Sequence, residues 1–423
     1  MKRNRIILCI LSLLIVCSMA IHLTGCTTKV KATDLMKGVK THSVSERQAD
    51  NKFICSQMSL ALKLFQESTK ESEQNSNILI SPLSIQLALA MTANGADGKT
   101  KAEMEKLLGG EIPLEELNEY LHSYVESLPS EKKYKLEIAN SIWFRDDENR
   151  LNVRKDFLQT NADYYGAQAY KSAFDNQTLK DINNWVDEHT DGMIDKILDD
   201  IDPDTVMYLI NALVFDAEWK KTYELSDIHD GKFNAITGTK QDVKMMESGE
   251  NLYLDDGKAT GFIKPYKDDK YSFAALLPNE GTDIYDYIAG LTDEGLKNTL
   301  QNARAASVNT TMPKFSYEYK LRMNDVLKNL GMPSAFIPET ADFSKMADSG
   351  LGNIYIGEVL HKAFISVDEL GTKAGAVTKV EMKDECAQVG EFTVKLDRPF
   401  VYMIIDNETN LPIFMGALVS IEK

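Results

Sequence analysis

Six histidines, at positions 22, 42, 122, 189, 229 and 361, are the side chains best able to carry acid–base or metal chemistry near neutral pH, and each stands alone. No HExxH motif and no cysteine pair accompanies them, so no zinc site is expected. Gly98-Lys99-Thr100 imitates the end of a phosphate-binding loop, but that motif requires glycine where Ala93 stands. A GxSxG elbow is missing, as is a GxGxxG following a strand. Cys386 would need a neighbouring histidine and a depressed pKa to act as a nucleophile. The expectation is a protein with no catalytic residue, no metal and no cofactor.

The chemistry that remains is that of a substrate-like segment, "VDELGTKAGAVTKVEMKDECAQVGEF", residues 367–392. A run this long without bulky anchors is uncommon inside a compact domain, and is usually functional or disordered. Read with period two from residue 372, one set is Thr372, Ala374, Ala376, Thr378, Val380 and Met382, all uncharged and small at first. The other set holds Lys373, Gly375, Val377, Lys379, Glu381 and Lys383. That is the alternation of a half-buried strand, loosened by Gly371 and Gly375. An ordinary edge strand would show the same alternation.

The elements around it read as one mixed α+β domain. Phe53 to Gln66 has apolar residues at helical spacing, and Ser81-Pro82 opens a largely buried helix that stops near Gly95. Beyond Tyr134 strands alternate with helices. "KLEIANSIWF", "TVMYLINALVFDAEW", "YSFAALLP" and "VNTTMPKFSYEYK" read as strands, and 153–165 and "LKDINNWVDEHT" as helices. Near the end, two apolar runs flank Asp406–Asn410 as a hairpin. No linker divides residues 49–423. Cys55 lies in a helical apolar pattern, where a buried thiol is expected.

The N-terminus carries an export signal: Lys2, Arg3 and Arg5 precede an apolar run from Ile6 to Ala20. Leu23-Thr24-Gly25-Cys26 resembles the bacterial lipobox, which implies a signal peptide over 1–25, lipid on Cys26 and a polar tether over 26–48. A signal cut elsewhere and an uncleaved anchor are the alternatives. Two acyl chains on Cys26 would hold the protein stably on the outer face of a membrane. The formal charge of −17 would become about −20 without residues 1–25, which carry three basic residues and no acidic one. Such a field disfavours nucleic acid and heparin as partners.

"NILISPLSIQLALAMTANGADGKTKAEM", "INNWVDEHTDGMIDKIL", "VLHKAFISVDELGTKAGAVT" and "DRPFVYMIIDNETNLPIFMGALV" occur in the order and context in which the serpin family has its helix B–C region, helix F, strand 5A with hinge, and C-terminal hairpin. The chain is similar to that family over essentially all of residues 50–423. The resemblance implies an α+β serpin fold with a large central mixed sheet, further sheets, about nine helices and an exposed reactive-centre loop over about 370–391. It also implies a monomer that inhibits proteases as a suicide substrate, by inserting the cleaved loop into the sheet. A non-inhibitory serpin-fold binding protein and a peptidase using Cys386 are the competing readings.

Carried over by position, Ser84, Asn211 and His361 match the polar cluster beneath the centre of the sheet, and each also reads simply as a satisfied buried polar group. Trp219 matches the aromatic at the top of the sheet, or plain core packing. Glu369 and Lys314 match a salt bridge below the hinge. Gly371, Thr372, Ala374, Ala376 and Thr378 match the hinge itself, whose inward positions must stay small and uncharged to enter the sheet. Leu370, Lys373, Gly375 and Val377 depart from the family's usual residues, and Lys373 bears on the insertion rate. Counting from the hinge glycine places the cleaved bond at Glu385–Cys386, whereas counting back from Arg398-Pro399-Phe400 points near Gln388–Val389. The hinge count is preferred, because insertion length fixes where a protease is held. Val380 and Met382 offer other cuts. Target proteases are expected among serine enzymes, and also cysteine enzymes tolerant of an acidic residue.

Overall fold

Apolar residues at three- and four-residue spacing make residues 51–71 a helix, α1 (Asn51–Glu71), whose first turn is capped by the Asp50 carboxylate accepting from the Phe53 N–H at 2.9 Å. Its buried stripe includes Phe53, Met58, Leu62 and Phe65. Cys55 falls off that stripe and is exposed, correcting the expectation of a buried thiol: residues two positions from Phe53 and Gln57 point away from the face those two share. Helix α2 (Pro82–Ala93) begins at the Ser81 cap with proline in its first turn, and all twelve of its residues are buried. α3 (Gly98–Gly109), α4 (Leu114–Ser127), α5 (Lys155–Tyr165), α6 (Asn176–His189), α7 (Ile284–Ala289), α8 (Asp293–Gln301) and α9 (Asn324–Asn329) complete nine helices among the described residues. The structure is a computed structural model that describes residues 30–128, 134–146, 151–202, 205–350, 352–373 and 391–421.

Two large sheets carry the strands. The main sheet runs β1 (Thr33–Asp34), β5 (Gln168–Ser172), β3 (Tyr134–Arg145), β6 (Met207–Glu218), β15 (Gly371–Lys373), β14 (Glu358–Val367) and β12 (Phe315–Arg322). The second runs β16 (Phe392–Lys395), β11 (Arg304–Pro313), β8 (Lys240–Asp255), β9 (Ala259–Pro265), β10 (Tyr271–Pro278), β17 (Phe400–Asp406), β18 (Pro412–Leu418) and β2 (Ile78–Ile80), with β7 (Ile228–Asn234) on β8. β4 (Leu151–Val153) and β13 (Ala347–Ser349) form a third, small sheet. The expected C-terminal hairpin is β17–β18, its turn closed by the Asp406 carboxylate accepting from the Glu408 and Thr409 N–H groups at 3.1 and 3.2 Å. The result is one α+β domain with α2 packed beneath β3 and β6.

At the middle of the main sheet β6 and β14 run parallel and pair directly through Tyr208–Asn211 with Glu358–His361. Above that rung β15 stands between them, antiparallel to both, with Thr372 opposite Val367 on one side and Ala217 on the other. Residues 371–373, expected at the start of an exposed loop, are therefore already strand, and Thr372 is 2% exposed.

The segment expected as a polar tether is docked where it is described. Thr33 and Asp34 pair with Lys171 and Tyr170 at the sheet's edge. The Lys31 and Ala32 N–H groups donate to Asp181 of α6 at 2.9 and 2.7 Å, and Arg47 lies against Glu116, Glu119 and Tyr120. Backbone donors, a short strand pair, the Arg47 ion pairs and the packing of Leu35, Met36 and Val39 against the core hold this stretch, and none of these leaves a periodic apolar pattern in the sequence. The expected signal peptide and Cys26 lie outside the described residues.

Candidate functional site

Val367 ends β14, and the chain reverses over four residues to start β15. The Asp368 N–H donates to the Gly371 carbonyl at 3.0 Å, and the Asp368 carboxylate accepts from the Leu370 and Gly371 N–H groups at 2.8 and 3.2 Å. The turn's carbonyls face the end of β6. Trp219 donates its backbone N–H to Leu370 and its indole N–H to Asp368, each at 2.8 Å, and the Tyr223 N–H donates to Glu369 at 3.0 Å. A Cβ at position 371 would stand 2.1 Å from the Ala217 carbonyl oxygen and 2.9 Å from the Glu218 Cα, so only glycine fits this slot.

Trp219, 1% exposed, stacks on Tyr266 with ring centres 4.5 Å apart and planes 9° apart. The Tyr266 hydroxyl in turn hydrogen-bonds the Thr372 hydroxyl. Tyr266 thus links Trp219 to Thr372 of β15. Glu369 and Lys314 form the expected ion pair, at 29% and 28% side-chain exposure. Burial opposes ionisation of Glu369, but the Lys314 ammonium and a backbone hydrogen bond hold its carboxyl below the usual range.

A second cluster spans the seam at the last β6–β14 rung. The Asn211 amide donates to the Ser84 carbonyl of α2 and to Asn140 of β3, both at 2.6 Å. The His361 ring bridges Asn211 Oδ1, at 3.3 Å from Nδ1, to the Ser81 N–H, at 3.3 Å from Nε2. With Nε2 accepting, Nδ1 carries the proton and the ring is neutral. Burial pushes the His361 pKa down to about 4. The Ser84 hydroxyl is buried without a hydrogen-bond partner among the described residues, so Ser84 reaches the cluster through its backbone.

Ser84, Asn211 and His361 are brought together, as are Trp219, Glu369, Lys314, Gly371 and Thr372 in the upper group. Ala374, Ala376, Thr378, Glu385 and Cys386 lie outside the described residues. Sequence reasoning missed Ser81, Asn140, Tyr266 and Asp368. Asn140 had a readable signal, as a polar residue in the middle of "KLEIANSIWF" directly opposite Asn211.

The family described as Serpin (serine protease inhibitor) matches residues 56–421. Leukocyte elastase inhibitor A of Mus musculus is 30% identical over 382 residues, covering 85% of this chain and 97% of its own. The thermophilic serpin tengpin in its native state superposes with a TM-score of 0.88 at 52% identity, covering 93% of this chain and 100% of its own. In its latent state the same protein gives a TM-score of 0.79, covering 89% of this chain and 100% of its own.

Proposed function

The chain belongs to the serpin family, and on that premise we propose that it is an irreversible inhibitor of serine-type endopeptidases, and of cysteine endopeptidases that accept an acidic residue, acting at a bacterial cell surface from a lipid anchor on Cys26. The observation that carries this reading is the main sheet's seam, paired directly in its lower part and held open above by a hinge strand in the antiparallel sense.

Extending that register places residue 372 + n opposite residue 217 − n, so Glu385 would stand opposite Asp204, beyond the start of β6 at Met207. Thirteen further residues at about 3.3 Å each is a travel of roughly 43 Å. A target serine oxygen attacks the Glu385 carbonyl carbon, and the bond to the Cys386 nitrogen breaks. That nitrogen leaves as a protonated amine, while Glu385 stays esterified to the protease. The freed strand then enters the sheet and carries the ester to the opposite pole. Ten to twenty new ladder bonds at about 1 kcal/mol net each amount to about 10–20 kcal/mol. The uncleaved form is on this account protected by a barrier and not by equilibrium.

The test is incubation of the soluble chain with a glutamyl endopeptidase, elastase, subtilisin, chymotrypsin and papain, read on denaturing gels and by mass spectrometry. A detergent-resistant complex with a released peptide beginning at Cys386 is expected. Clean cleavage without a complex for every enzyme overturns the reading, and leaves a serpin fold used for binding.

A further inference from the structure

Behind the Trp219 ring lies a buried ion pair that the loop mechanism by itself does not call for. Lys264 is 1% exposed and Glu250 is 7% exposed; Lys264 Nζ lies 2.7 Å from Glu250 Oε1. Ser248 joins them, donating to Glu250 at 2.6 Å and exchanging a 3.0 Å hydrogen bond with Thr310. The ammonium also stands 4.4 Å from the centre of the Tyr223 ring and 5.4 Å from that of Trp219. Burial works against its charge, yet Tyr223 and Glu250 hold its pKa above the ordinary lysine value.

The placement follows from the pleat of β9. Lys264 of β9 and Tyr266, still extended one residue past its end, are two positions apart and hence on one face, and that face is what Trp219 rests on: stacked on Tyr266 and within reach of the Lys264 cation. The two aromatic residues that Lys264 faces are the two whose backbone N–H groups hold the hinge turn, Trp219 through Leu370 and Tyr223 through Glu369. A core of ordinary packing needs no ion pair here, since well-packed apolar residues of similar volume usually serve as well or better. A cation over two ring faces fixes both rings without blocking the hinge slot.

We propose that Lys264 is a positioning residue for loop insertion: its ammonium, kept charged by Glu250, holds Trp219 and Tyr223 in the arrangement that receives the hinge strand. This rests on the inhibitory reading above. Each acylated protease either deacylates, leaving a cleaved inhibitor, or is trapped by insertion. Slower insertion therefore raises the number of inhibitor molecules consumed per protease trapped.

The experiment compares Glu250→Gln, Lys264→Met and the double variant Lys264→Met/Glu250→Gln with the wild-type chain, against the protease of the panel that wild type traps. Melting temperature is measured alongside. Lys264→Met alone strands a buried carboxylate and can fail to fold, so the double variant, which removes both charges, decides. Glu250→Gln takes away the carboxylate that keeps the cation charged; it is expected to melt lower than the double variant while shifting the partition towards cleavage no further than the double variant does. The double variant is expected to slow insertion about thirtyfold, on the scale of losing one desolvated cation–π contact. Unchanged partition in the double variant, or partition that merely follows melting temperature across the set, overturns the proposal. Absence of a complex with the wild-type chain overturns the inhibitory reading on which it rests, and is told apart by the wild-type lane alone.

Discussion

The two large sheets use the same chemistry to different ends. In the second sheet, β10, β17 and β18 carry only buried residues and are paired along their lengths. In the main sheet, the central strands β6 and β14 meet over four rungs, share a polar cluster at the last of them and are parted above by the three residues of β15. A seam closed by hydrogen bonds that can be remade has low-energy alternatives; a seam closed by interlocked apolar side chains does not. On the proposed mechanism the difference assigns the roles: one sheet is the anvil, the other the slot.

Substitutions that treat the two sheets alike should therefore act differently. Met403→Ala, in the fully buried β17, is expected to cost about 2–5 kcal/mol in denaturant unfolding. It should leave the partition between trapping and cleavage as it is, and a changed partition would show that the second sheet also takes part in opening.

The seam carries its own pH dependence. His361 is neutral when folded, with a pKa near 4 against an ordinary 6.5, so the unfolded chain takes up the proton first. Its contribution to stability is whole above pH 6.5 and is lost as pH falls from 6.5 towards 4, at most about 3 kcal/mol. Chemical denaturation at pH 7 and 4.5 measures this, and His361→Gln should flatten the slope between them.

At the top of the slot, Gly371→Ala sets a methyl group against the Ala217 carbonyl and should expel β15, costing about 1–3 kcal/mol. Faster amide exchange at Thr372 would register the expulsion; protection equal to wild type would contradict it. The smallest effect is expected from Lys314→Ala. Its ion pair with Glu369 is partly solvated, and its loss should lower stability by less than about 1 kcal/mol at pH 7, with the wild-type advantage fading in acid as Glu369 protonates.

Much of this was legible beforehand, for physical reasons that differ from place to place. The buried helix α2 announced itself by Ser81-Pro82 and an unbroken apolar run, and β10, β17 and β18 by their apolar runs. The polar cluster was reachable only through family resemblance, because a serine, an asparagine and a histidine over a hundred residues apart have no spacing to read. Asn140 was missed since it sits in a segment that reads well enough as strand without it, and Tyr266 since it lies just past β9 in a stretch with no pattern to single it out. The docking of residues 30–48 was not legible because its bonds are made with side chains of distant helices, and the few apolar residues it buries, Leu35, Met36 and Val39, follow no helical or strand period. Cys55 was misjudged by two positions on a helical face, the distance that separates inside from outside.

The central claim, that the main sheet accepts the cleaved loop as a strand, is tested most directly by thermal unfolding of the chain before and after a single cut between residues 380 and 389. Insertion worth about 10 kcal/mol or more predicts a rise in melting temperature of tens of degrees in the nicked, still-associated protein. A nicked protein that melts at or below the temperature of the intact one would contradict it.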